Sequence, residues 1–118
     1  MRPLNEVVRQ HQMATSYKAE IAQAMEARIA RVRQLTFAQA ALLPEASAEE
    51  AVVGGSECTF TIFRQQNLDA LPNAVLVTVQ VARRRILVMG EPPERGVIFT
   101  SDGAVREATD REIRDSGG

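Results

Sequence analysis

Apolar residues recur along this chain with two different periods, and the periods divide it into a helical part and a sheet part. The sheet signal is clearest over 74–89, AVLVTVQVARRRILVM, where Val75, Val77, Val79 and Val81 stand at every second position. In a strand that period sets all four on one face, with Ala74, Leu76, Thr78, Gln80 and Ala82 on the other. Ile86, Leu87, Val88 and Met89 form a further apolar run. One strand over the whole stretch would be roughly 53 Å long at about 3.3 Å per residue, far beyond ordinary strand length. The stretch therefore predicts two strands with a turn near 83–85.

The helical signal occupies 14–43. Tyr17, Ile21, Met25, Ile29, Val32 and Leu35 are spaced 4, 4, 4, 3 and 3 apart, one apolar stripe on a 3.6-residue period. Ala19, Ala22, Ala24, Ala27 and Ala30 add helix propensity. Ser16 is the expected N-cap, and Pro44 ends the helix by biasing Leu43 away from the α region. Such a helix would be about 45 Å long at 1.5 Å per residue. That outruns a typical strand, so one end is expected to project past the sheet or to pair with another molecule. Residues 1–13 read as a loosely ordered arm, a short helix or the frayed start of the next helix, with Leu4, Val7, Val8 and His11 sharing one helical face.

The remaining elements are short. Residues 44–57 read as a connector: Ser47 and Glu50 spell a capping box for one helical turn, and Gly54-Gly55 its stop. Residues 58–65 predict a strand with Cys58, Phe60 and Ile62 on one face and Thr59, Thr61 and Phe63 on the other. Leu68 and Leu71 are expected to tuck under the sheet. Strands at 97–100 and 104–107 are joined by Ser101-Asp102-Gly103, a tight-turn signal. Thr109 and Glu112 fit a capping box for a helical turn over 110–114, ahead of a loose tail. The expected architecture is one α+β domain over 1–118. Its long N-terminal helix packs on a four- to five-stranded, mainly antiparallel meander.

Composition narrows the function classes. A chain of 118 residues suits one domain. The formal net charge of −1 supplies no global field for nucleic acid or anionic lipid. Residues 1–43 hold six basic and three acidic side chains, and the rest hold eight and twelve. The two parts thus carry opposite sign, which favours docking on each other or on a second copy. The single cysteine rules out an intrachain disulfide and argues against a cysteine zinc site. No window approaches the roughly 18 apolar residues of a membrane span, and no signal-peptide core is seen. A cytoplasmic protein is expected.

Candidate chemistry is sparse. The lone His11 has no carboxylate pair near it in sequence. Cys58, beside Phe60, reads as a small buried hydrophobe, since no activating base is indicated. Gly54-Gly55 lacks the further glycines and lysine of a phosphate loop. Glu91 and Glu94 flank Pro92 and Pro93 and read as a solvated loop rather than an acid/base pair. Asp102 is a turn residue, and Glu107, Asp110 and Glu112 are surface charges beside Arg106, Arg111 and Arg114. The exception is Arg83, Arg84 and Arg85, which at a hairpin tip read first as a solvated turn that keeps a strand end from aggregating and second as candidates to grip an anion or an acidic partner. The few aromatics and the absence of net positive charge weigh against nucleic acid. No catalytic, cofactor-binding or metal-binding residue is assigned, and no cofactor is expected.

The stretch 26–37, EARIARVRQLTF, followed by a loop and the strand at 59–63, resembles the minor pseudopilins, in which a long helix leads into an antiparallel sheet of similar order. The resemblance implies a secretion or pilus component. The leader-peptidase site and apolar N-terminal span of that family have no counterpart here, because residues 1–16 are polar, so such a component would lack its membrane anchor.

Three functional expectations follow. The first is a non-catalytic interaction or assembly protein whose partner is protein, foremost a second copy in a homodimer. Its grounds are the overlong helix, the opposed charges and the missing acid/base constellation. The second is a small-molecule-binding or enzymatic cone-type (cystatin-like) domain, with Thr78 and Gln80 as the polar groups in its pocket. The third is the pseudopilin-like component.

Overall fold

In a computed structural model the described residues are 4–66, 68, 71–83 and 93–115, with side chains for 18–66, 68, 71–82 and 93–115. The elements run α1 (Leu4–Arg33), α2 (Phe37–Ala41), β1 (Ala46–Val53), β2 (Ser56–Gln66), β3 (Ala74–Arg83), β4 (Glu94–Thr100), β5 (Val105–Glu107) and α3 (Asp110–Asp115). The strands form one antiparallel sheet in the order β1-β2-β3-β4-β5. The fold is α+β: a long N-terminal helix lies on a five-stranded meander, as the two hydrophobic periods require.

β3 is the centre of the sheet, and its alternation builds two cores. Val75, Val77, Val79 and Val81 face α1 and are buried with Phe60, Cys58, Val97 and Phe99. Met25, Ile29 and Val32 of the predicted helical stripe close over them, and Ile29 is fully buried. A Val or Ile so placed contributes roughly 1.5–3 kcal/mol by leaving water. On the opposite face Ala74, Leu76 and Ile98 form a smaller cluster capped by Leu68, Leu71 and Ala108. Leu68 and Leu71 thus pack under the sheet as expected. Gly96 makes this second core fit: a Cβ there would sit 3.0 Å from Leu76 Cδ1 and 3.3 Å from Ile113 Cγ1.

Several boundaries differ from the sequence reading. α1 begins at Leu4, so residues 4–13 are the start of the long helix, one of the readings open for them, and Ser16 lies within α1 rather than at its N-cap. It ends at Arg33, and α2 follows behind its own capping box. There Gln39 N–H donates to Thr36 Oγ1 at 3.1 Å and Thr36 N–H to Gln39 Oε1 at 2.9 Å. After the break Leu35, Phe37 and Ala40 pack on the core. The carbonyls left at the end of α2 are met from β2, where Arg64 Nε donates to Leu43 O at 2.6 Å and Gln66 Nε2 to Ala41 O at 3.3 Å.

The largest correction concerns 44–57. This segment is no mere connector: it contains β1, eight residues paired one-to-one with β2. Gly54 and Gly55, with φ of 58° and 78°, form the two-residue turn of the β1–β2 hairpin rather than a helix stop. Both positions need the left-handed region that glycine adopts without a Cβ penalty. The expected strand at 86–89 lies outside the described residues. The 101–103 turn is present, with Gly103 at φ 93° and Ala104 N–H donating to Asp102 Oδ1 at 3.1 Å. The Thr109–Glu112 box is also present, with reciprocal bonds of 2.9 and 3.2 Å opening α3.

The molecule is elongated, measuring 63 × 26 × 21 Å. Its radius of gyration, 17.1 Å, exceeds the about 13.5 Å expected for this length. α1 is the cause. Among residues 18–33 its core packing begins at Ile21, and Lys18, Ala19 and Glu20 are exposed. The helix N-terminal to them extends about 20 Å further at 1.5 Å per residue.

Candidate interaction surface

The sheet has two edges, β1 and β5. In an antiparallel ladder, successive residues turn their N–H and C=O alternately toward one neighbour and the other. Arg64 N–H donates to Glu45 O at 3.0 Å, which fixes the phase on β1. Ser47, Glu49, Ala51 and Val53 therefore bond to β2, and Ala46, Ala48, Glu50 and Val52 turn their backbone groups outward. Among the described residues no strand lies beyond them. The residues from Ala46 to Glu50 are all exposed, and Val52 is 71% exposed.

β5 is closed off differently. It has three residues, and Ala108 N–H donates to Gly96 O at 2.8 Å, which leaves only Val105 and Glu107 facing outward. Charged side chains fasten its surroundings. Arg95 on β4 donates through Nε to Glu107 at 2.6 Å and through Nη1 to Glu26 of α1, so one guanidinium joins helix, sheet and edge strand. That hydrogen bond holds the Glu107 carboxyl below its ordinary range, and the two carboxylates raise Arg95. Arg106 grips Glu112 of α3 through both oxygens, at 2.7 and 2.6 Å. With Thr109 N–H also donating to it, Glu112 is lowered to about 2, the Arg106 bond being the larger cause.

On the helix side, β1 is met by an arginine. Arg28 of α1 has a side chain only 12% exposed; its Nη2 donates to Glu49 Oε1 at 3.1 Å and its Nη1 to Ala24 O at 3.2 Å. Its guanidinium carbon lies 3.7 Å from the centroid of the Phe60 ring, a cation–π contact worth roughly 0.5–2 kcal/mol. Arg28 Nε is buried with no hydrogen-bond partner among the described residues. Helix and sheet do therefore dock through charge, but not with one polarity: Arg28–Glu49 puts the base on the helix, and Glu26–Arg95 puts it on the sheet.

The residues singled out by sequence are scattered. Arg83 is the last residue of β3, in register with Cys58; Arg84 and Arg85 lie outside the described residues. Cys58 is buried at 2% exposure, with its Sγ 3.6 Å from Ser56 O. Thr78 is buried and Gln80 half-buried, both on the sheet face away from α1. Glu94 opens β4 opposite Gln80, and Glu91 lies outside the described residues. His11 falls within α1. Thr100 donates its hydroxyl to Asp102, which lowers that carboxyl, in keeping with a turn role. Among the described residues no three His, Cys, Asp or Glu side chains converge as a metal-ligand set, and no helix is long and apolar enough to cross a membrane.

Sequence reasoning missed the β1 edge and the Arg28–Phe60–Glu49 cluster beside it. The available signal was Gly54-Gly55 between Val52-Val53 and a strand-like run, a pair suited to a two-residue hairpin. No family model, no curated protein and no solved structure matches this chain.

Proposed function

We propose that this is a non-catalytic interaction and assembly protein that acts in the cytoplasm and self-associates as a homodimer. The observation that carries the reading is the β1 edge, eight residues long and exposed, with an outward row of backbone donors and acceptors. Edges of this kind are templates for another strand. The length of α1 beyond the sheet supports the same reading, because it adds surface outside the protein's own core. The described charged pairs also serve to tie elements together: Arg28, Arg95 and Arg106 each engage a carboxylate on another element. Arg83, Arg84 and Arg85 stand as a further candidate contact for an acidic partner.

Light scattering behind a sizing column, over a wide concentration range, tests the proposal. Twice the chain mass is expected, with dissociation on dilution. A monomer at every concentration would overturn it. A thermal-shift screen against metabolites would then examine the cone-type reading.

A further inference from the structure

We infer that two copies join through β1, antiparallel about a two-fold axis at Glu49, into one continuous ten-stranded sheet. The inference rests on the self-association proposed above and supplies its surface and register. The outward-facing residues of β1 are Ala46, Ala48, Glu50 and Val52, as the Arg64–Glu45 bond requires. A two-fold axis normal to the sheet pairs this set with itself completely in one register only, that centred on Glu49. Ala46 then meets Val52 of the second copy, and Ala48 meets its Glu50. Each such pair exchanges two N–H···O bonds, so every outward donor and acceptor of the strand is satisfied. Moving the axis by one residue to Ala48 or Glu50 loses a pair at one end.

Side chains agree with that register. Ala46 neighbours Phe63 on β2, and both lie on the face away from α1. The second copy's Val52 would extend this row, covering a residue that is 71% exposed beside one that is 36% exposed. Glu50 faces an alanine rather than a carboxylate. On the helix side the two Glu49 residues meet at the axis. That approach would be repulsive for bare carboxylates, but each already holds Arg28 at 3.1 Å, stacked on the Phe60 that pairs with Glu49 across the ladder. The row then reads guanidinium, carboxylate, carboxylate, guanidinium and is neutral overall, with each carboxylate held by the Arg28 of its own copy. The occupant is a second copy, because the outward residues of β1 pair completely with themselves and each Glu49 brought to the axis carries its own Arg28.

Two variants of the full chain test the register. In Ala48→Pro the lost N–H points outward, so the β2 ladder stays intact and proline is tolerated as on other edge strands; the mass is expected to fall from dimer to monomer. In Glu49→Cys the two introduced thiols face each other in a non-hydrogen-bonded pair, with Cα atoms about 4.5 Å apart, within disulfide reach. Mild oxidation is expected to give a dimer band on a non-reducing gel, whereas Glu50→Cys and Val52→Cys, off the axis, give none above wild type. If Ala48→Pro does not fold, the cysteine series alone decides. A wild-type dimer with no cross-link at 49 overturns this inference and leaves self-association standing. A wild-type monomer overturns both.

Discussion

One edge of this sheet is long and bare, and the other is short and fastened. β1 runs eight residues in unbroken register with β2, contains no proline and no basic residue, and has its Glu49 held by Arg28 of α1. β5 runs three residues, and two arginine–glutamate clusters tie it and its neighbours to α1 and α3. Natural sheets blunt their edges with short strands, charge and covering elements, and β5 shows the first two. The contrast means that the chain has the means to close an edge and applies them on one side only, which is why the β1 side carries the functional reading.

The largest expected effect lies under β1. Phe60 is 1% exposed and supports Arg28. Phe60→Ala should cost about 3–5 kcal/mol, read from the shift in denaturant midpoint. A loss below about 1 kcal/mol would mean that the ring does not anchor that side of the core. On the β5 side, Gly96→Ala would press a methyl against Leu76, Ile113 and Ala108. Overpacking of that kind costs about 1–3 kcal/mol; an unchanged melting temperature would show that α3 does not sit tightly on β4. Thr109→Ala removes the cap of α3 and should cost about 1 kcal/mol, with faster amide exchange at Ile113.

The smallest effect is a gradual acid loss on the β5 side. Glu112 titrates at about 2 instead of 4.5, chiefly through its bond from Arg106, and Glu107 is lowered by Arg95. A carboxyl with a depressed folded-state pKa adds stability that is fully present above the unfolded value and is lost as pH falls through the folded one. For Glu112 the window runs from about 4.5 down to about 2. Stability measured across that range should fall with pH, and Glu112→Gln should fall less steeply. Equal slopes would remove the Arg106–Glu112 cluster as a fastening of that edge.

The sequence by itself determined whatever repeats locally. The every-second-residue valines of β3 set its two faces, the stripe from Ile21 to Val32 set the buried side of α1, and Thr109–Glu112 set the start of α3. These are short-range patterns, readable from the spacing of residues within a single element. Tertiary structure decided the rest. Ala46–Val53 is rich in Ala and Glu, which favour helix over strand, and its capping-box spelling points the same way. It is a strand because β2 offers it a full ladder through the Gly54-Gly55 turn, a gain that outweighs local preference. The break after Arg33 also appears only in the folded chain, where α2 opens at Thr36 and packs Phe37 and Ala40 on the core. The candidate surface was hidden for that reason. An edge is defined by which strand lacks a neighbour, and the pairing of Arg28 with Glu49 spans 21 positions that only the folded sheet brings together.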